Sequence, residues 1–539
     1  MNAVATFSTL LYATEPNGLQ LTRRGFLTRV GQAGGCGATF ATMNALGLLP
    51  SLESSDSGIG LPASSGKGVK VVILGAGIAG LVSAYELRGA GFECTILEAR
   101  DRPGGRNWTV RNGTTVEFTD GVRQTAQYTG AGSYFNAGPA RISSLHKTML
   151  GYCRDLDVAL EVFVNTNRST LMLNDKAFGG KPVEQRQVIN DTRGHIAELL
   201  AKSVNQGALD QQLTQEDRDR LLALLRNFGD LRDGYAYRGS ERAGVSRLPG
   251  AGDLVEETRA PLDLHALLDS GLWTNLTQEE TLDMQATMFQ PVGGMDRIPY
   301  AFARKLGKII QFRSAVKEIR KTPSGVRIAY LQNGKERSAE ADYCICTLPL
   351  NLLKSIPSDL SPPVKQAIES THYNDSYKIA WESKRFWETE YNIYGGISWL
   401  QGGPINMVWY PSGGMHSPMG VMLSGYGLQS LPAFNALPDT ESKIAASRAA
   451  VEGLFPGYGK ELHSPVFVAW EKIPYSQGAW ISQAGDYFTG PYRWLVQPDD
   501  RIYFAGDYCS HVNAWQEGAA LSARRAVSMI GERARLAKA

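Results

Sequence analysis

Little in this 539-residue chain advertises a partner. Lysine and arginine number 55 against 53 aspartates and glutamates, a net charge of +2. No bulk field therefore steers it toward nucleic acid or an acidic membrane surface. Histidine is scarce, at seven residues, and His146, His372 and His511 stand in no motif that gives them a role. Cysteine is scarcer, at six: Cys36, Cys94, Cys153, Cys344, Cys346 and Cys509. Their scatter has neither zinc spacing nor the density of a disulfide framework, so we expect no metal and buried thiols. No segment approaches the ~18 uninterrupted apolar residues of a membrane span. A near-neutral chain of this kind must find its partner through a site.

The chain does have core material. Hydrophobic residues make up 43% of it, with 10 tryptophans and 58 glycines, the last well above the usual ~7%. At about 150 residues per domain the length suits three to four domains or one composite fold. Near the start, Arg23 and Arg24 precede Phe26 and Leu27, and a weakly apolar Gly/Ala-rich stretch follows to about Leu49. The paired arginines resemble a bacterial twin-arginine signal, which places residues 1–50 as an export signal and predicts a periplasmic or secreted protein. The Ser/Gly-rich residues 51–68 read as a mobile linker.

From residue 70 the sequence turns specific. A β-branched strand (residues 71–74) enters Gly75-x-Gly77-x-x-Gly80, a helix carries Ala79, Val82, Ala84 and Leu87, and a second strand (residues 94–97) ends in Glu98. A lone Gly-x-Gly-x-x-Gly is weak, but here strand, helix, strand and acid follow in order. The glycines allow a tight turn and close approach to a pyrophosphate, and the helix N-terminus offers free N–H groups. Glu98 stands where ribose hydroxyls would be bound. Immediately beyond come Ala99, Arg100, Gly104, Gly105 and Arg106, a turn able to bring backbone amides and one guanidinium onto a diphosphate.

This combination resembles the flavin monoamine oxidase superfamily, closest to its FAD-dependent L-amino-acid oxidases. The likeness extends over residues 69–535. It takes in Gln290 to Pro299 with Gly293, Gly294 and Asp296, Val316 at the adenine position, and Phe504-Ala505-Gly506-Asp507. Last comes Ala514-Trp515-Gln516-Glu517-Gly518, opening a final helix. The resemblance implies an α/β chain: a Rossmann-like FAD-binding domain (residues 69–125, 285–365 and 490–535), a mixed-sheet substrate-binding domain (126–185 and 366–489) and a helical insertion (186–284). Residues 309–313 read as a strand, and residues 326–331 and 342–347 as a sheet crossing the ADP half. FAD would meet Gly75, Gly77, Ala79, Gly80, Glu98, Ala99, Arg100, Gly105, Arg106, Gly138, Pro139, Ala140, Arg141, Val316, Gly506, Asp507, Ala514 and Trp515. No cysteine lies between Trp470 and Trp480, where covalent relatives attach their flavin, so noncovalent FAD is expected.

The same resemblance assigns the substrate side. Gly138-Pro139-Ala140-Arg141 matches the segment whose arginine holds a substrate carboxylate, and Tyr410, before Pro411, would give a second hydrogen bond. Trp480 and Trp515, with Ala514, would wall the substrate, and Lys378 would hold a water near flavin N5, so Lys378 and Trp515 are the catalytic candidates. The implied reaction is oxidative deamination of an L-amino acid, with O2 as acceptor, in a chain that could form a homodimer. An amine oxidase acting on carboxylate-free amines, and a decarboxylating amino-acid monooxygenase, use much the same residues and stay open here.

Overall fold

Alternate residues of the strand Lys70–Leu74 (β1) feed two separate cores. Val71 and Ile73 pack with the helix Ile78–Gly89 (α1) and the C-terminal helix Gln516–Leu536, while Val72 and Leu74 pack with Cys344, Cys346 and Leu350 on the other face. That is the environment of a parallel strand buried on both sides. The computed structural model describes residues 59–207, 213–427, 431–482 and 490–537. The twin-arginine segment lies outside them.

β1 is the centre of a five-stranded parallel sheet. Its order is Ile310–Gln311, Glu93–Leu97 (β2), β1, Tyr343–Cys346 and Ile502–Phe504. The β-branched run Val71-Val72-Ile73 suits a pleated, doubly buried strand. At Gly75 the chain turns with φ +101°, and a Cβ on Gly80 would stand 2.0 Å from Gly75 O. Those two positions need glycine, the first for conformation and the second so that α1 can lie against the strand end. All five cysteines of the described residues, Cys94 among them, are buried and free.

The second large sheet is mixed. Its order is Val183–Glu184, Leu171–Asn174, Gly396–Gln401, Met407–Tyr410, Met419–Tyr426, Tyr377–Lys384 and His463–Ala469. Only Leu171–Asn174 and Gly396–Gln401 pair in parallel. The α/β architecture therefore has the form expected: a Rossmann-like layer, a mixed sheet, and between them in sequence a helical stretch. That stretch comprises Gln185–Asn205, Gln215–Gly229 and Leu264–Ser270. Thr214 starts its second helix with a reciprocal cap to Asp217, a device worth about 1 kcal/mol.

Several local expectations need correction. Residues 59–68, read as mobile linker, are packed: Ile59 and Leu61 lie against the first core, and Gly66 N donates to Ala90 O at 2.9 Å. The strand expected over residues 309–313 shortens to Ile310–Gln311, because Gly307–Ile309 is a 3-10 turn. The residues expected to cross the ADP half divide. Val326–Gln332 lies in a three-stranded antiparallel sheet with Ser314–Lys321 and Lys335–Ala341, whereas Tyr343–Cys346 is an inner strand of the parallel sheet. The domains also interlock. Met288–Pro291 pairs with Ile142–Ser143 and Leu160–Phe163, and Thr109–Arg111 pairs with Tyr134–Asn136. Arg111 then grips Asp296 through two 2.7 Å contacts.

Candidate active site

Two cavities, of about 530 and 340 Å³, share a wall made of Gly138, Pro139, Lys378, Tyr426, Trp480, Ala514 and Trp515. The larger opens along the carboxyl ends of the parallel strands, where ligands of open α/β sheets bind. Gly75, Gly77, Ala79, Glu98, Ala99, Arg100, Gly105, Arg106, Val316, Gly506 and Asp507 line it. Gly80 does not; its part is the close helix packing described above.

The residues present fit a flavin dinucleotide. A Cβ added to Gly77 would meet nothing within 4 Å, so the missing side chain leaves the first turn of α1 open to the cavity. The first turn of Gln516–Leu536 faces the same space through Gln516 and Ala519. Two helix N-termini thus offer N–H groups and partial positive charge, one suited to phosphate and the other to an electron-rich ring. Glu98 is fixed at the wall by Ala76 N (2.7 Å) and Arg100 N (2.9 Å). Arg106 reaches across to Asp507, with Nη1–Oδ2 at 3.2 Å and a second, shorter contact. Asp507 also accepts from Ala514 N at 3.2 Å. Ala514 adopts φ +64°, a left-handed conformation costing about 1–2 kcal/mol outside glycine. That strain sits where the loop delivers Trp515 to the cavity.

The smaller cavity is built differently. Ala140 and Arg141 line it and do not line the larger one. The Arg141 guanidinium lies between Trp409 (5.0 Å) and Trp515 (5.6 Å), and its Nη2 is 3.1 Å from Met284 Sδ. Its Nε is buried without a partner. Among the described residues no carboxylate pairs with it, and burial lowers its pKa. Lys378 lies beside it on Tyr377–Lys384, 5% exposed, donating to Asn136 O at 2.8 Å and to Gly138 O. Burial, and then the charge of Arg141, bring its ammonium down to about 7.

Tyr410 lines the smaller cavity, where the Tyr-Pro pattern put it, but its phenol does not turn toward Arg141. Successive residues of a strand face opposite ways. Met407 and Trp409 pack with Phe163 toward Arg141, so Val408 and Tyr410 pack with Phe455 in the other core. The Tyr410 hydroxyl is 2.8 Å from Ser398 Oγ. The phenol beside Arg141 is Tyr426, at the end of Met419–Tyr426. Its ring is 6.0 Å from that of Trp409 and 5.2 Å from Lys378 Nζ. Burial raises its pKa, and the nearby Arg141 charge pulls the other way. Trp409, Tyr426 and Met284 escaped the sequence reading. Strand alternation offered one clue, since the Trp409 and Tyr410 side chains point to opposite faces of the sheet.

The sequence profile of the flavin containing amine oxidoreductases matches residues 78–530. The chain belongs to that family. Among its relatives are an L-amino-acid oxidase of Pseudechis australis, 25% identical over 481 residues (86% of this chain, 87% of the relative), and one of Bothrops pictus, 27% identical over 484 (86% and 90%). YobN of Bacillus subtilis (strain 168) is 28% identical over 480 residues, covering 83% and 92%. Solved structures with the same fold include putrescine oxidase bound to putrescine, with a TM-score of 0.55 and 18% identity over 86% of this chain and 98% of that one. Another is cyclohexylamine oxidase of Brevibacterium oxydans IH-35A, with a TM-score of 0.58 and 17% identity over 86% and 99%. As a flavin-containing amine oxidoreductase the chain is an oxidase of small molecules. Among the described residues no helix is long and apolar enough to cross a membrane.

Proposed function

We propose that this flavin-containing amine oxidoreductase deaminates L-amino acids to 2-oxo acids, ammonia and hydrogen peroxide. The observation that carries this reading is Arg141, a guanidinium enclosed in the smaller cavity with no carboxylate of the described residues to neutralise it. A buried charge without a partner is costly, and an anionic substrate group supplies what is missing. A carboxylate-free amine would leave it uncompensated.

FAD, held noncovalently, would lie with its ADP half along Gly77, Glu98 and Arg106, and when bound it supplies a hydride acceptor that is reoxidised by O2. The chain's own residues orient the substrate. Arg141 binds the carboxylate, a planar fork suited to that group, and Tyr426 adds its hydroxyl in the role expected of Tyr410. Trp480 and Trp515 exclude water and hold the Cα–H toward the larger cavity. A desolvated pocket lowers the substrate amine's pKa, favouring the neutral form whose lone pair makes the imine. A side-chain base is therefore not required. Charged Lys378 has three N–H donors and gives two directions to carbonyls, leaving one for water or reduced oxygen.

The smaller cavity also bears on side-chain choice. Its lining includes Arg141, Lys378 and Arg385 and, among the described residues, no aspartate or glutamate, which favours neutral aromatic or aliphatic substrates over basic ones. Export through the Arg23-Arg24 segment and assembly as a homodimer complete the proposal. Mixing the anaerobic holoenzyme with L-phenylalanine, L-leucine, L-lysine, benzylamine and putrescine tests it. Flavin absorbance should bleach with the first two; bleaching by the amines alone would overturn the reading.

A further inference from the structure

We propose that Met284 is a modification site for hydrogen peroxide and that its oxidation weakens carboxylate binding at Arg141. The inference rests on the oxidase reading above. Met284 closes the 3-10 turn Leu282–Met284 at the end of the helical insertion. Its sulfur lies 3.1 Å from Arg141 Nη2, and its side chain lines the smaller cavity beside Trp409 and Trp515. The neighbouring residue of the turn lies close to a histidine. Asp283 Oδ1 is 3.6 Å from His146 Nε2, and the His146 ring packs edge-on to Trp515 at 4.8 Å.

A thioether here meets peroxide at its source, because each turnover of the proposed reaction releases one H2O2 into the shared space. The sulfur lone pair attacks one peroxide oxygen and the O–O bond breaks. Sulfur gains that oxygen and loses two electrons, and the other oxygen leaves as water with both protons. The product carries a sulfoxide oxygen, a strong acceptor, in place of a weakly accepting sulfur. It then competes for the Arg141 N–H groups through a charge-assisted bond. Two other methionines separate this effect from general oxidation. Met419 lines the same cavity, where its carbonyl accepts from Arg385 Nε at 3.1 Å, and Met415 is exposed on the surface.

The test treats the substrate-free holoenzyme with graded hydrogen peroxide, maps oxygen addition by peptide mass spectrometry, and measures benzoate binding by calorimetry. Oxidation of Met284 should track a roughly tenfold rise in the benzoate Kd, the scale of one hydrogen bond to a charged group. A mixture of the two methionine sulfoxide reductases, one for each epimer, should reverse it. In Met284→Leu the Kd ratio of treated to untreated protein should stay near one, whatever its starting value. Oxidised Met284 with unchanged affinity would overturn the proposal, as would equal loss in Met284→Leu, or an intact Met284 at doses that oxidise Met415. Failure of the untreated enzyme to bind benzoate would instead sink the carboxylate reading, and this proposal with it.

Discussion

The two cavities share one wall but follow different charge plans. In the larger, cations and anions answer one another: Arg106 pairs with Asp507, and Glu98 is fixed by backbone donors. In the smaller, Arg141 and Lys378 have no carboxylate partner among the described residues, and Arg385 alone is paired, with Glu388. A group held permanently can be balanced by the protein, as the larger cavity is. A group that must arrive and leave is better met by a charge left open, because the incoming anion then contributes its whole interaction to binding.

The largest expected break in this contrast is Arg141→Met. Losing one partner of a buried charged pair costs about 3–5 kcal/mol. kcat/KM for L-amino acids should therefore fall about 10²–10⁴-fold, nearly all in KM, as read by oxygen uptake. An unchanged kcat/KM would show that the open charge is not for the substrate. A smaller effect separates the two tyrosines. Tyr426→Phe should raise KM about tenfold, whereas Tyr410→Phe should leave KM within about twofold and cost about 1 kcal/mol of stability, since it removes one of the two partners of Ser398 Oγ. Equal effects on KM would put the phenol of Tyr410 back in the site.

The smallest expected effect is a pH dependence. Lys378 is held down to about 7 by burial and then by Arg141. Lowering the pH through that value protonates it and adds a second cation to the pocket. Benzoate affinity should therefore rise from pH 8 to pH 6, as attraction between unlike charges requires. By linkage, a bound carboxylate should raise the Lys378 pKa. Lys378→Met should flatten the profile; a slope that persists would belong to another group.

How far the sequence was legible follows from how local each feature is. The turn from β1 into α1 is written in adjacent residues, because φ at Gly75 and the close approach at Gly80 constrain the chain within one turn. Glu98 follows at the end of the next strand for the same reason. The smaller cavity is assembled from segments far apart in sequence: Ala140 and Arg141, Met284 from the insertion, the strands between residues 377 and 426, Trp480, and Ala514 with Trp515. No local spacing encodes that convergence. The Tyr-Pro pattern located the right strand, but which face of it meets Arg141 is set by packing of Trp409 with Phe163 and of Tyr410 with Phe455. A one-residue difference in orientation exchanges the two sides.

The order of strands in the parallel sheet has a consequence for biosynthesis. Tyr343–Cys346 is an inner strand only once Ile502–Phe504 has docked beside it, and α1 is covered only when Gln516–Leu536 lies against it. Both partners are synthesised long after the elements they cover, so the growing polypeptide carries an apolar, unpaired border until they appear. Pairing across so long a stretch of chain is slow and prone to aggregation. Maturation should thus depend on chaperones that shield that border until Gln516–Leu536 closes it.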